Sequence, residues 1–238
     1  MINKIILSPP FSNVYPSIKN TTKIVGTYTL NKRKGLHRVV TTLKRTNSGW
    51  INSVGLRNPG IDKCKNKNNI ISISEINPGD FDILLEKISR LDKILGIEFN
   101  ISCPNVKVSS INRLILTKAK EISDFVIVKI PHNMNQNNIL ELLDTNEFIL
   151  HISNTKKTKS GALSGKDLIC KNLNTIYNLK KKRPDVKIIG GGGIYDLNTL
   201  LDYKDAGADY FSLSTAMINP FKTIKLLKDF KNLSSINY

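Results

Sequence analysis

The chain is poor in the residues that hold secreted or metal-bound folds together. It has three cysteines, three histidines and one tryptophan among 238 residues. Cys64, Cys103 and Cys170 form no C-x-x-C pair and have no histidine at zinc spacing, which excludes a disulfide scaffold and points to a reduced, intracellular setting. No long apolar run and no charged-then-apolar leader appears, so a cytoplasmic chain without a membrane segment is expected. Acidic residues are also scarce, 19 against 36 Lys plus Arg, for a net charge of +17. Such a field attracts phosphates, small anions or nucleic acid. The lysines are nevertheless scattered among Asn and Ile, as in NKNNIISIS. That pattern reads first as a bias in residue usage, and nucleic acid stays open as a less favoured partner.

What the chain does have is a repeated alternation. With 40% hydrophobic residues it can bury one sizeable core, and residues 1–238 read as a single domain. Short β-branched or apolar runs at 4–8, 23–29, 69–74, 96–102, 125–130, 148–153, 186–190 and 209–213 read as eight strands. Most are followed by stretches of helical period: 78–95, 111–122, 137–143, 166–182, 197–206 and about 220–233. Eight βα units imply a parallel sheet closed into an α/β TIM (β/α)8 barrel. Residues from about 30 to 65 carry too many turn formers for a crossover helix. They read as an excursion over one barrel mouth, with 50–54 a short extra strand.

In such a barrel the loops after the strands converge on one face. The tips here are polar and glycine-rich: Ser8, Thr27, Asn100 to Asn105, Lys129, Asn154 with Thr155, Gly190 to Gly193, and Ser214 with Thr215. IIGGGGI after strand seven and SLSTA after strand eight occupy the positions where barrels seat a phosphate, because bare backbone N–H groups can approach its oxygens. The glycine-flanked GALSG, 161–165, reads as a further turn of backbone donors. Cys103, before Pro104 and among amides and hydroxyls, is a candidate base against the simpler reading of a small buried hydrophobe. Asn52, Asn58, Asn100, Asn105 and Asn154 could read a planar imide ring without adding charge. Lys129, ending FVIVK, either snorkels outward or stabilises negative charge on a bound ring.

Taken together, FNISCPNVK, NSVGLRNPG, VIVKIP, SNT, GALSG, IIGGGGI and STAMINPF resemble the dihydroorotate dehydrogenases, flavin enzymes of pyrimidine synthesis. The resemblance runs in order over 23–222 and is to the soluble, cysteine-using class. It implies FMN as cofactor, with Cys103 taking a proton from C5 of dihydroorotate while a hydride leaves C6. Asn52, Gly55, Leu56, Asn100, Asn105, Asn154 and Thr155 would hold the pyrimidine. Thr27, Asn100, Lys129, Ser164, Gly165, Gly192, Gly193, Ser214 and Thr215 would contact the flavin and its phosphate. A homodimer and an iron–sulfur flavoprotein that passes electrons to NAD are partners compatible with this class; fumarate is an alternative acceptor.

The chain also departs from that family. Gly26 stands where a flavin- and substrate-contacting lysine is usual, with Lys32 a candidate replacement. Ser8-Pro9-Pro10 replaces an Ala-Ser-Gly loop, the lid after Cys103 is short, and Ser214 replaces a glycine. A tRNA-dihydrouridine synthase, another FMN barrel, is the runner-up enzyme. A flavin-binding barrel with weak or no dehydrogenase activity is the other alternative.

Overall fold

The computed structural model describes residues 2–35, 37, 41–65, 68–102, 111–144, 148–153 and 155–236. In chain order the strands are β1 (Ile5–Leu7), β2 (Thr21–Tyr28), β3 (Lys44–Thr46), β4 (Gly49–Asn52), β5 (Ile70–Ile73), β6 (Gly96–Asn100), β7 (Val126–Lys129), β8 (Ile149–Ile152), β9 (Lys156–Thr158), β10 (Gly161–Gly165), β11 (Ile188–Gly191) and β12 (Tyr210–Leu213). The helices are α1 (Asp80–Ser89), α2 (Arg113–Ile122), α3 (Gln136–Asp144), α4 (Ile169–Lys182), α5 (Leu197–Asp205) and α6 (Pro220–Ile236).

Eight strands close in the order β1-β12-β11-β8-β7-β6-β5-β2. Each neighbouring pair is parallel, as βαβ units require. This is the (β/α)8 barrel expected from the alternation. The period-two pattern of each strand divides its residues between two sides. Ile6, Ile24, Ile70, Ile127, Ile149 and Ile189, one from each of six strands, form a cluster with one another and fill the barrel interior. The alternate residues, such as Leu7, Ile71, Phe99, Val128, Leu150 and Ile188, pack outward with Leu84, Ile88, Ile176 and Leu200 of the helices. Two residues beyond each interior isoleucine the same inward side carries Ser8, Gly26, Ser72, Lys129, His151 and Gly191. The barrel is therefore plugged with isoleucine at its floor and polar above it.

Helix ends follow local chemistry. Asn112 caps α2 by accepting the Ile115 N–H at 3.0 Å, and Asp196 caps α5 by accepting that of Thr199 at 2.8 Å. The segment expected as helix over 78–95 is helical only to Ser89, because the chain turns at Arg90 and Lys93 takes a positive φ of 52°. Of its remaining apolar residues, Leu91 and Ile94 pack on the outer core and Leu95 on the isoleucine cluster of the barrel interior.

GALSG, expected as a turn, is instead β10. It pairs antiparallel with β4 and with β9, giving a four-stranded sheet β3-β4-β10-β9. The extra strand expected at 50–54 is β4, set two residues earlier at its end.

Candidate active site

A cavity of about 470 Å³ opens where the carboxyl ends of the barrel strands meet the β3-β4-β10-β9 sheet. Of the site residues named from the sequence, Thr27, Asn52, Gly55, Leu56, Asn100, Lys129, Thr155, Ser164, Gly165, Gly192, Gly193, Ser214 and Thr215 border it, and Asn58 and Lys32 do not. Cys103, Asn105 and Asn154 lie outside the described residues. Ser102 and Thr155, which adjoin Cys103 and Asn154 in the chain, both line the cavity.

Lys129 ends β7 between Asn100 of β6 and His151 of β8 in the barrel register. Its side chain faces the cavity half-buried, with no hydrogen bond or ion pair to a described residue. A cation so placed adds positive potential to the cavity. Arg57 is the other cation on the described wall. Lys32, the candidate replacement for the missing strand-two lysine, is exposed and does not border the cavity.

The far end is built from backbone. Gly192 and Gly193 have φ of 89° and 84°, in the left-handed region that favours glycine. A Cβ on Gly193 would sit 2.7 Å from Ile169 Cγ1 and 2.8 Å from Gly165 O, so these loops approach as closely as glycine permits. Tyr203, fully buried on α5, shares its one hydroxyl proton between Gly191 O at 2.7 Å and Gly192 O at 2.8 Å and fixes the end of β11. Burial pushes its phenol above the ordinary tyrosine range. Thr215 accepts from the Tyr195 hydroxyl at 3.0 Å and keeps its own proton to donate. Ser214 spends its proton on Pro9 O at 2.9 Å, and Ser164 spends its own on Trp50 O at 3.1 Å; each can still accept.

Of the asparagines, Asn58 is a loop residue. Its amide donates to Thr29 Oγ1 and Leu56 O, both at 2.8 Å, and accepts from Gly60 N and Thr29 N, so nothing is left for a ligand. It thereby sets the loop that carries Gly55 and Leu56 to the wall. Gly26 borders the cavity with φ of 112°, and its backbone is clasped by the side-chain amide of Asn13. A Cβ there would lie 2.5 Å from Ser72 O.

Beneath the cavity lies a polar chain that reading the sequence did not anticipate. Glu98 and His151 are both fully buried, with His151 Nδ1 2.6 Å from Glu98 Oε2. Ser72 donates to Glu98 Oε1 at 2.7 Å. Burial pushes the Glu98 carboxyl up, but His151, the Lys129 ammonium and the Ser72 hydroxyl outweigh it and hold the group below the usual carboxylate range. Burial also depresses His151, with Glu98 opposing it and Lys129 adding to it. The signal was parity: Glu98 and Asn100, like His151 and Ser153, are inward-facing pairs two residues apart inside apolar strands.

Comparison with known proteins gives concordant results. A family model described as dihydroorotate dehydrogenase matches residues 12–233. The chain is similar to the catalytic subunit of dihydroorotate dehydrogenase B (NAD(+)) of Malacoplasma penetrans, with 26% identity covering 91% of this chain and 82% of that one. It is 32% identical to the protein of the same description from Petrotoga mobilis, over 81% and 75% of the two chains. Among solved structures it resembles DHODH from Eimeria tenella in complex with ferulenol, with a TM-score of 0.59, 16% identity, and coverage of 84% of this chain and 70% of that one. The last likeness concerns the barrel fold.

Proposed function

The chain belongs to the dihydroorotate dehydrogenase family, and from that premise we propose that its cavity oxidises dihydroorotate to orotate with FMN as cofactor. One observation carries the assignment of the site. The Lys129 ammonium, which has no ion pair among the described residues, and the Asn100 amide share a cavity with the glycine-lined loops after β11 and β12. One end thus suits an anionic ring and the other a phosphate.

The residues present fit a flavin mononucleotide. Gly192 and Gly193 leave backbone where side chains would crowd, Thr215 keeps a hydroxyl proton to donate, and the volume falls within the ~300–1,000 Å³ of small-ligand pockets. Gly165, Gly192, Gly193, Ser214 and Thr215 would hold the phosphate end, and Thr27, Asn100, Lys129 and Ser164 the ring. When bound, FMN supplies the acceptor for the hydride that leaves C6 of dihydroorotate.

The chain's own residues carry the rest of the chemistry. Cys103 as thiolate takes the proton from C5; its chain neighbour Ser102 on the cavity wall supports this role. Lys129 provides positive potential where a ring oxygen gains charge. Asn52, Gly55, Leu56, Asn100, Asn105, Asn154 and Thr155 hold the pyrimidine, and Arg57 offers a second cation for its carboxylate. The polar-over-isoleucine interior closes the site from below and excludes water from that side.

The relatives' description as a catalytic subunit of an NAD(+) enzyme supports a partner protein that carries electrons onward. Among the described residues no helix is long and apolar enough to cross a membrane. Free thiols at Cys64 and Cys170 support a cytoplasmic location. The test is the visible spectrum of the purified protein: flavin absorbance is expected, and it should bleach on anaerobic addition of dihydroorotate. Protein that carries flavin and does not bleach refutes the reaction.

A further inference from the structure

The hydrogen bonds beneath the cavity share one direction, and the sense of each follows from the donors available. Ser72 has a single hydroxyl proton and gives it to Glu98 Oε1 at 2.7 Å. The 2.9 Å contact between Thr27 Oγ1 and Ser72 Oγ must then be donated by Thr27. Thr27 Oγ1 in turn accepts from Asn100 Nδ2 at 2.9 Å, and Asn100 Oδ1 accepts from the Ser102 hydroxyl at 2.5 Å and its N–H at 3.2 Å. On the other side a carboxylate oxygen can only accept, so His151 Nδ1 carries a proton and donates it to Glu98 Oε2 at 2.6 Å. In that tautomer its Nε2 accepts from Ser153 Oγ at 2.5 Å.

Two arms of donors thus converge on one carboxylate. They join β2, β5, β6 and β8 and end on Ser102 and Ser153, the residues before Cys103 and Asn154.

We propose that Glu98 is a positioning residue: by accepting on both oxygens it sets the direction of both arms, so that Asn100 keeps a second amide N–H for a ring ligand and His151 stays in its Nδ1–H form. This rests on the reading of the cavity as a pyrimidine site. A carboxylate is the only side chain of this shape that accepts on both ends. A glutamine has one acceptor and one donor end, and cannot serve both arms as they stand. In Glu98→Gln, therefore, one arm loses its acceptor. If the amide N–H₂ faces His151, the ring must move its proton to Nε2. If it faces Ser72, that hydroxyl must turn its proton elsewhere, and the direction of the Ser72 and Thr27 hydroxyls on which the Asn100 contact rests is no longer imposed.

The experiment uses the purified, flavin-loaded protein labelled with ¹⁵N-histidine, of which there are three, together with an orotate titration. In the wild type, His151 should show an Nδ1–H tautomer, and orotate should bind. In Glu98→Gln, either the tautomer switches to Nε2–H or orotate binds about three- to tenfold more weakly, the worth of one misdirected hydrogen bond. Ser72→Ala cuts only the Asn100 arm and keeps the charge. It should weaken orotate by a similar factor and leave the His151 tautomer as it was. Glu98→Asp keeps a two-ended acceptor and should preserve the Nδ1–H tautomer.

A folded Glu98→Gln with unchanged tautomer and unchanged affinity overturns the proposal and leaves the pyrimidine site standing. Should Glu98→Gln not fold, Ser72→Ala with unchanged orotate affinity overturns it alone. Wild-type protein that binds no orotate removes the pyrimidine reading itself, and the inference with it.

Discussion

The resemblance places Gly26 where a strand-two lysine is usual in the family, and the structure indicates what a lysine there would do. In Gly26→Lys the new Cβ falls 2.5 Å from Ser72 O, 2.8 Å from Tyr28 N and 2.9 Å from Tyr28 Cδ2. Two of these are backbone atoms of the barrel sheet, which cannot swing aside as the tip of a flexible side chain can. The backbone also sits at φ of 112°, a conformation that costs a side-chain-bearing residue about 1–3 kcal/mol. Overpacking adds about 1–3 kcal/mol. The sum, about 2–6 kcal/mol, corresponds to a fall in Tm of roughly 10 °C for a chain of this size at about 2–4 °C per kcal/mol. Thermal unfolding followed by far-ultraviolet circular dichroism reads this directly, and flavin reduction by dihydroorotate is measured beside it. The variant should melt well below the wild type and gain no activity. A Gly26→Lys protein that melts with the wild type and reduces its flavin faster would refute the steric reasoning.

Other expectations follow from the same site. Cys103→Ser should slow flavin reduction by dihydroorotate chiefly near neutral pH, where a hydroxyl is a poorer base than a thiolate, and recover toward alkaline pH; a pH profile identical to the wild type removes Cys103 from the mechanism. Lys129→Ala should slow reduction about a hundredfold in stopped-flow traces, the usual cost of removing one charge-stabilising donor; intact reduction and flavin affinity rule the role out. Burial holds His151 below its ordinary value, so the unfolded chain binds its proton first as pH falls below about 6.5. Stability from this group is complete above that pH and is lost as pH falls toward the folded value. Urea midpoints at pH 7.5 and 5.5 should show the loss, and His151→Gln should flatten it. Tyr203→Phe leaves Gly191 O and Gly192 O without their phenol donor and should cost about 1–2 kcal/mol and weaken FMN; unchanged urea midpoints and flavin affinity would contradict that role.

Much of the barrel could be read in advance because its signals are local. Each strand is a short apolar run, and its polar tip follows by parity, as in Ile127-Val128-Lys129 and Ile149-Leu150-His151. GALSG was misread as a turn because its pairing is not local. Ser164 lies opposite Trp50, and Gly165 opposite Gly49, across more than a hundred residues. Asn58 and Asn100 look alike in the sequence as asparagines of polar tips, yet one spends all its bonds on its own loop and on Thr29 and the other faces the cavity. Hydrogen-bond accounting separates them, and that needs coordinates.

By itself the sequence determined that eight βα units close a barrel and that polar and glycine-rich tips gather at one mouth, because period-two alternation and backbone chirality leave little choice. Only the tertiary structure decided which of their side chains remain available to a ligand. Lys129 has no ion pair among the described residues, Lys32 is kept away, and a lysine at position 26 is denied room. Glu98, a lone carboxylate in an apolar strand, meets its histidine and serine partners only when β5, β6 and β8 are brought round the same interior, since burying a charge is tolerable only where other chain segments supply its hydrogen bonds.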